Sequence, residues 1–196
     1  ITGSGKTNLY LTLAMEQFKK QLSSILLVPE ISLTSQLVQQ FQYYFPGSVI
    51  TIHSKQTEAT RHQIWEKIIK NTDPIIVIGP RSALFSPLQN LGLIIIDEAH
   101  DPAYYQDNPP RYSTLRLASF IANTKNISCV YGTATPLIED FYLAQKNHAY
   151  VSLSQKAKDT AIIPELHLID LRNSDSFTKN RYFSNQLIKK ITQNLE

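Results

Sequence analysis

Ile1–Thr7 reads ITGSGKT. Gly3, Gly5, Lys6 and Thr7 match the second half of the phosphate-binding spacing G-x-x-x-x-G-K-[ST]. The opening glycine of that pattern would stand one position before Ile1. The residue types follow from the chemistry. Gly3, Ser4 and Gly5 let successive backbone N–H groups turn inward around phosphate oxygens, and the helix that follows adds its positive end. Lys6 is suited to the β/γ-phosphates and the Thr7 hydroxyl to Mg²⁺. A plain Gly/Ser turn before a helix uses the same letters, so the motif needs a counterpart elsewhere.

Leu91–His100, LGLIIIDEAH, is that counterpart. A continuous apolar run suits a strand covered on both faces in a parallel sheet. Carboxylates at its end then lie in the crevice where such sheets bind ligands. Asp97 is the candidate Mg²⁺ ligand, Glu98 the candidate base for an attacking water, and His100 a partner for a neighbouring strand end. A solvated strand terminus would read the same way in isolation. Together the two motifs point to a nucleotide triphosphatase, with Lys6, Asp97, Glu98 and His100 as its catalytic set. A third stretch, Gly132–Pro136, places Thr133 and Thr135 where their hydroxyls could couple the acidic site to the rest of the molecule. The same letters also suit a helix start, with Thr135 as N-cap and Pro136 at the first helical position.

The elements that must position these residues alternate along the chain. Thr7–Lys20 has a helical stripe through Leu9, Leu13 and Phe18, and Ile25–Val28 is a short buried strand stopped by Pro29. Helical spacing returns in Leu33–Phe45, Thr57–Lys70 (with Trp65) and Thr114–Asn123. Strands are expected at Val49–His53, Ile75–Gly79 and Ile127–Tyr131. This order predicts an α/β fold with a mostly parallel sheet and helices on both faces.

The chain of 196 residues is 42% hydrophobic and 18% charged, enough for a proper core and below a disordered level of charge. A net charge of +3 permits nucleic acid without proving it. The single cysteine, Cys129, falls in an apolar run and is expected to be a buried strand residue. One thiol leaves no intrachain disulfide and no Cys cluster for zinc, which fits a cytoplasmic setting. No segment is long and apolar enough to cross a membrane, and no membrane partner is expected.

Phosphate loop, D-E-A-H and T-A-T, in this order, resemble the first motor domain of a superfamily 2 helicase, a RecA-like P-loop NTPase fold. The intervening segments narrow the likeness. Leu27–Val38 (LVPEISLTSQLV), Ile76–Asp101, Pro109–Ala118 (PPRYSTLRLA) and Tyr131–Asp140 (YGTATPLIED) are similar to the primosomal protein N′ family of replication-restart helicases, PriA. Pro164–Arg172 (PELHLIDLR) resembles that family's connector between motor domains. The resemblance implies ATP and Mg²⁺ as cofactors and 3′-to-5′ movement on single-stranded or forked DNA. Primosome and replication-restart proteins are the implied partners. It divides the chain into motor domain 1, residues 1–153, and a connector with the start of motor domain 2, residues 154–196. The amphipathic tail Phe183–Glu196, with Leu187, Ile188, Ile191 and Leu195, would begin that second domain.

By position, Pro29–Gln36 and Gly79–Phe85 match two strand-contacting motifs of the family. Ser32, Thr34, Gln36, Arg81 and Ser82 are suited to phosphates, although a helix cap and surface polarity would account for the same residues. Asp101–Tyr112 matches the family's aromatic-rich DNA-sensing loop. Tyr104, Tyr105 and Tyr112 could stack on unpaired bases, with Gln106 and Arg111 adding polar and cationic contacts; aromatics tucked down as loop anchors are the other reading. Two positions depart from the family: Ala99 where a glutamate is usual, and Pro80 where a threonine is usual. The family's zinc module, adenine-contacting segment and second motor domain with its arginine finger fall outside these residues. Other readings are a different superfamily 2 motor, such as an RNA helicase or a DNA repair or uptake translocase, and an idle nucleotide- or DNA-binding module.

Overall fold

The computed structural model describes residues 5–153 and 167–195. Gly3, Ser4 and the Pro164–Leu166 part of the expected connector lie outside them. The chain divides into two compact units, Ile1–Lys158 and Asp159–Glu196.

In the first unit, helix α1 (Lys6–Lys19) starts from Gly5, whose φ of 83° is left-handed and cheap only for glycine. Strand β1 (Ser23–Leu27) follows. Helix α2 (Ser35–Tyr44) begins where the Thr34 side chain accepts a hydrogen bond from the Leu37 N–H. After strand β2 (Val49–Thr51), Thr57 caps helix α3 (Glu58–Lys70) through the Thr60 N–H. Strands β3 (Ile76–Gly79) and β4 (Leu91–Ile96) come next. The two-residue strands β5 (Tyr105–Gln106) and β6 (Tyr112–Ser113) then form a small antiparallel hairpin. Helix α4 (Thr114–Lys125), strand β7 (Ser128–Tyr131) and helix α5 (Ile138–Lys146) complete the unit.

The main sheet has five strands in the order β2-β3-β1-β4-β7, every neighbouring pair parallel. The central strands are almost entirely buried, and apolar apart from Ser23 and Ser24 at the start of β1, because both faces are covered. Ile25 and Leu27, Val77, and Ile94 and Ile96 point to one face, where Ile68 of α3 and Leu115 and Ala118 of α4 pack. Leu26, Ile76 and Ile78, and Leu93 and Ile95 point to the other, against Tyr10 and Ala14 of α1 and Phe41 of α2. Alternation within uninterrupted apolar runs is the signature of a buried parallel sheet. The expected α/β architecture with helices on both faces is therefore present.

Three local expectations need correction. The buried stripe of α1 runs through Tyr10, Leu11 and Ala14; Leu13 and Phe18 only flank the core, and Leu9 faces solvent. Cys129 is half-buried, because β7 is the sheet's edge strand; burial still pushes its thiol up to about 11. Helix α5 does not start at Thr135–Pro136. Its N-cap is Leu137, which makes no side-chain cap bond.

In the second unit, a short 3₁₀ turn at Ser174–Phe177 leads to helix α6 (Asn185–Leu195). The Asn185 amide donates to the Asp175 carbonyl at 3.0 Å and to the Thr178 hydroxyl at 2.9 Å. The Ser184 hydroxyl accepts from the Leu187 N–H. The tail is helical as expected, starting two residues after Phe183, and Leu187 and Ile191 are exposed on it.

Ser23 ties three segments of the sheet's amino-terminal end. Fully buried, it donates to the Asn90 side-chain carbonyl at 2.6 Å and accepts from the Ile75 N–H at 3.0 Å. Ser23→Ala strands both partners and should lower unfolding free energy by about 1–3 kcal/mol in equilibrium urea denaturation. A loss below a few tenths would show that water takes over both bonds.

Candidate nucleotide and nucleic-acid site

Parallel strands deliver all their carboxyl ends to one edge, and that edge collects the polar residues of interest. Ser32, Thr34 and Gln36 follow β1, Arg81 and Ser82 follow β3, Asp97–Tyr112 follow β4, and Gly132–Thr135 follow β7. Register fixes these ends against one another. The Asp97 N–H donates to the Leu27 carbonyl at 2.8 Å, and the Ala99 N–H donates to the Gly132 carbonyl at 3.0 Å.

Lys6, the first residue of α1, reaches the acidic pair. Its Nζ lies 2.7 Å from Glu98 Oε1 and 3.5 Å from Asp97 Oδ1. The lysine side chain is 17% exposed, so water screens this contact weakly, and a charge-assisted bond of that length is strong. Thr7 is half-buried in the same first turn. Glu98 has a φ of 46°, a left-handed conformation uncommon for any residue but glycine, which costs of order 1–3 kcal/mol and marks functional turns. The turn brings the Glu98 carboxylate to the lysine. Its other oxygen is 3.7 Å from His100 Nδ1.

His100 Nδ1 in turn shares a 2.8 Å hydrogen bond with the Thr133 hydroxyl, linking the ends of β4 and β7. Thr133 also accepts from the Thr135 N–H at 3.1 Å. Of the two threonines, Thr133 contacts the β4 end through its side chain, while the Thr135 N–H bonds only to Thr133 within the same turn.

Two residues not singled out from the sequence complete the site. The Tyr10 hydroxyl donates to Asp97 Oδ1 at 2.8 Å, with the ring 2% exposed. Burial, reinforced by the Asp97 charge, holds its phenol far above the ordinary value, so it remains a donor at working pH. Gly132 lies directly against it: a β-carbon there would meet the Tyr10 hydroxyl. The sequence carried a signal for Tyr10, which follows Lys6 by four positions and so shares its helix face. Nothing in the sequence explained Gly132 beyond its place in a turn.

The expected nucleic-acid contacts divide. Ser82 and Gln36 are exposed and Ser32 half-buried, while Thr34 caps α2. Arg81 turns back into the protein, where its Nη1 donates to the carbonyls of Ala103 (2.9 Å) and Tyr105 (2.7 Å). Tyr104 overturns the expectation of a stacking residue. Its ring is 1% exposed, and its hydroxyl donates to the main-chain carbonyl of Asp97 at 2.7 Å. The apolar space beneath β4 claims the ring, so it anchors the loop instead. Tyr112 packs edge-on against Phe85 with centroids 5.5 Å apart. Tyr105 and Arg111 stay exposed, and Gln106 pairs with Tyr112 in the hairpin.

With this geometry in view, comparison with known proteins is decisive for the family. The DEAD/DEAH box helicase model matches residues 1–142. The chain belongs to that family. Its fold is accordingly the RecA-like α/β domain of these helicases. Over its whole length it is 40% identical to the replication restart protein PriA of Chlamydia muridarum and 37% identical to that of Bacillus subtilis. Against the Haemophilus influenzae protein of that name it is 39% identical over 89% of the chain. The chain spans about a quarter of the length of these relatives, 26%, 24% and 24% respectively.

The residues present fit the Mg²⁺ that helicases of this family use. The Asp97 carboxylate and Thr7 hydroxyl are hard oxygen donors, and Mg²⁺ commonly takes only one or two from protein. The Asp97 and Glu98 carboxylates together carry more negative charge than the single Lys6 ammonium beside them offsets, which suits a further cation. Among the described residues, no helix is long and apolar enough to cross a membrane.

Tyr104 separates packing from hydrogen bonding cleanly. Tyr104→Phe keeps the ring and should cost about 1 kcal/mol, whereas Tyr104→Ala empties a core position and should cost about 3–5 kcal/mol. Thermal unfolding of both variants checks this, and equal losses would contradict an anchoring ring.

Proposed function

We propose that this chain is the first motor domain of an ATP-driven DNA helicase or translocase acting in replication restart. The observation that carries this is the meeting of Lys6 with Asp97 and Glu98 at the carboxyl edge of the sheet. A lysine on the first turn of a helix, beside two carboxylates on a strand end, suits a triphosphate held between them. Similarity along the whole chain to PriA proteins supports the restart role, and 3′-to-5′ movement on single-stranded or forked DNA goes with it.

In this reading, Gly3, Ser4 and Gly5 direct backbone N–H groups at the phosphates. Lys6 exchanges Glu98 for the β/γ-phosphate oxygens. That exchange releases the Glu98 carboxylate to take a proton from the attacking water. Bound Mg²⁺ supplies charge neutralisation at the phosphates, with Thr7 and Asp97 as its protein ligands. His100 and Thr133 carry the change at Glu98 across to the β7 end through their 2.8 Å contact. Ser32, Gln36, Ser82, Tyr105 and Arg111 face the nucleic acid. Arg81 and Tyr112 support that surface through the loop and Phe85. Primosome components are the partners of the whole protein, which works in the cytoplasm and carries its zinc module elsewhere.

ATP in such motors sits between two domains, and an arginine supplied by the second is worth on the order of 10³–10⁵ in rate. The chain alone should therefore bind ATP weakly and hydrolyse it negligibly, and Lys6→Ala should abolish what binding there is. Calorimetry and phosphate release measure both. DNA-stimulated turnover at motor rates by these residues alone would contradict the division of labour. In the full-length protein, stimulation by RNA above that by DNA would favour another superfamily 2 motor. Restart activity surviving Lys6→Ala would favour an idle binding module.

A further inference from the structure

Asp97 is held at every polar group of its main chain and at one side-chain oxygen. Its N–H donates to the Leu27 carbonyl, its carbonyl accepts from Tyr104, and Oδ1 accepts from Tyr10. The Tyr10 contact differs from the others because it crosses from α1, the helix that also carries Lys6 and Thr7. It is also enclosed. The ring is 2% exposed, and the space a side chain at position 132 would need is filled by the Tyr10 hydroxyl. The phenol is thus confined between Asp97, to which it donates, and Gly132, where any side chain would overlap it. Tyr10 therefore ties the phosphate-loop helix, the acidic strand end and the Gly132 turn at one oxygen atom.

We propose that Tyr10 is a positioning residue that orients the Asp97 carboxylate for the divalent cation, and that position 132 is glycine to leave room for its hydroxyl. The inference rests on the ATP reading above and deepens it. Donors fixed behind a metal ligand select its rotamer in advance, and removing such a donor typically costs 10–100-fold in metal affinity or activity. Without Tyr10, the free Oδ1 turns toward the nearby Lys6 ammonium, at 3.5 Å already, and that rotamer competes with metal binding.

The test uses full-length protein, a fluorescent ATP analogue and Mg²⁺ titrated from zero. Tyr10→Phe keeps the buried ring and removes only the hydroxyl. It should raise the Mg²⁺ concentration for half-maximal Mg-dependent nucleotide binding about tenfold, while nucleotide affinity without Mg²⁺ stays within twofold of wild type. A residue that merely stabilised the fold would lower the melting temperature and leave the Mg²⁺ requirement in place. Gly132→Ala displaces the hydroxyl from the other side and should shift the Mg²⁺ requirement in the same direction with Tyr10 intact. A Mg²⁺ requirement within twofold of wild type in folded Tyr10→Phe overturns the proposal, whatever Gly132→Ala does. Wild-type protein that binds no nucleotide at any Mg²⁺ concentration overturns the ATP reading itself, a separable result.

Discussion

Lys6 and Glu98 stand 92 positions apart in the chain and 2.7 Å apart in space. Everything else at the site depends on that approach. It requires α1 to lie on one face of the sheet with its first turn at the carboxyl edge, and β4 to end at the same edge. The parallel ladder supplies the second condition, since β1, β3, β4 and β7 all run the same way. Tyr10 and Ala14, packed against Leu26 and Ile95, supply the first.

The Lys6 ammonium offsets one of the two carboxylate charges of Asp97 and Glu98 and leaves the group with a net negative charge. In a partly desolvated crevice, each member of this trio constrains the others. Under the proposed function, this arrangement would act as a switch, because a triphosphate would compete for the lysine and change what Glu98 touches. Glu98 already sits in a conformation that the backbone does not favour, and its second oxygen is close to His100. A change there has a short physical route to Thr133 and the end of β7.

The loop after β4 belongs to the same construction. Tyr104 binds the Asp97 carbonyl from below, and Arg81 binds the loop's carbonyls from the β3 end. The cation that sequence position suggested for phosphate contact is thus occupied with main-chain oxygens. A polyanion offering better acceptors would compete for it, and the loop would lose a tether next to Asp97. Through Tyr104, the loop that carries Tyr105 and Arg111 is tied directly to the main chain of Asp97.

Much of this was legible in the amino-acid order. Uninterrupted runs such as LGLIII and IIVIG, short and rich in β-branched residues, suit strands buried on both faces, and the Gly-Lys-Thr and Asp-Glu-x-His spacings point to phosphate chemistry. Local physics decides those features, so one-dimensional pattern suffices. Polarity and position could not say which way the Tyr104 and Arg81 side chains turn; that depends on whether an apolar space or a bare carbonyl lies beneath them. Spacing places Tyr10 on the helix face of Lys6, but its bond to Asp97 and the need for glycine at position 132 were invisible for the same reason. A helix face and a turn 122 residues later acquire meaning only when packing presses a phenol into the space where a side chain would otherwise be.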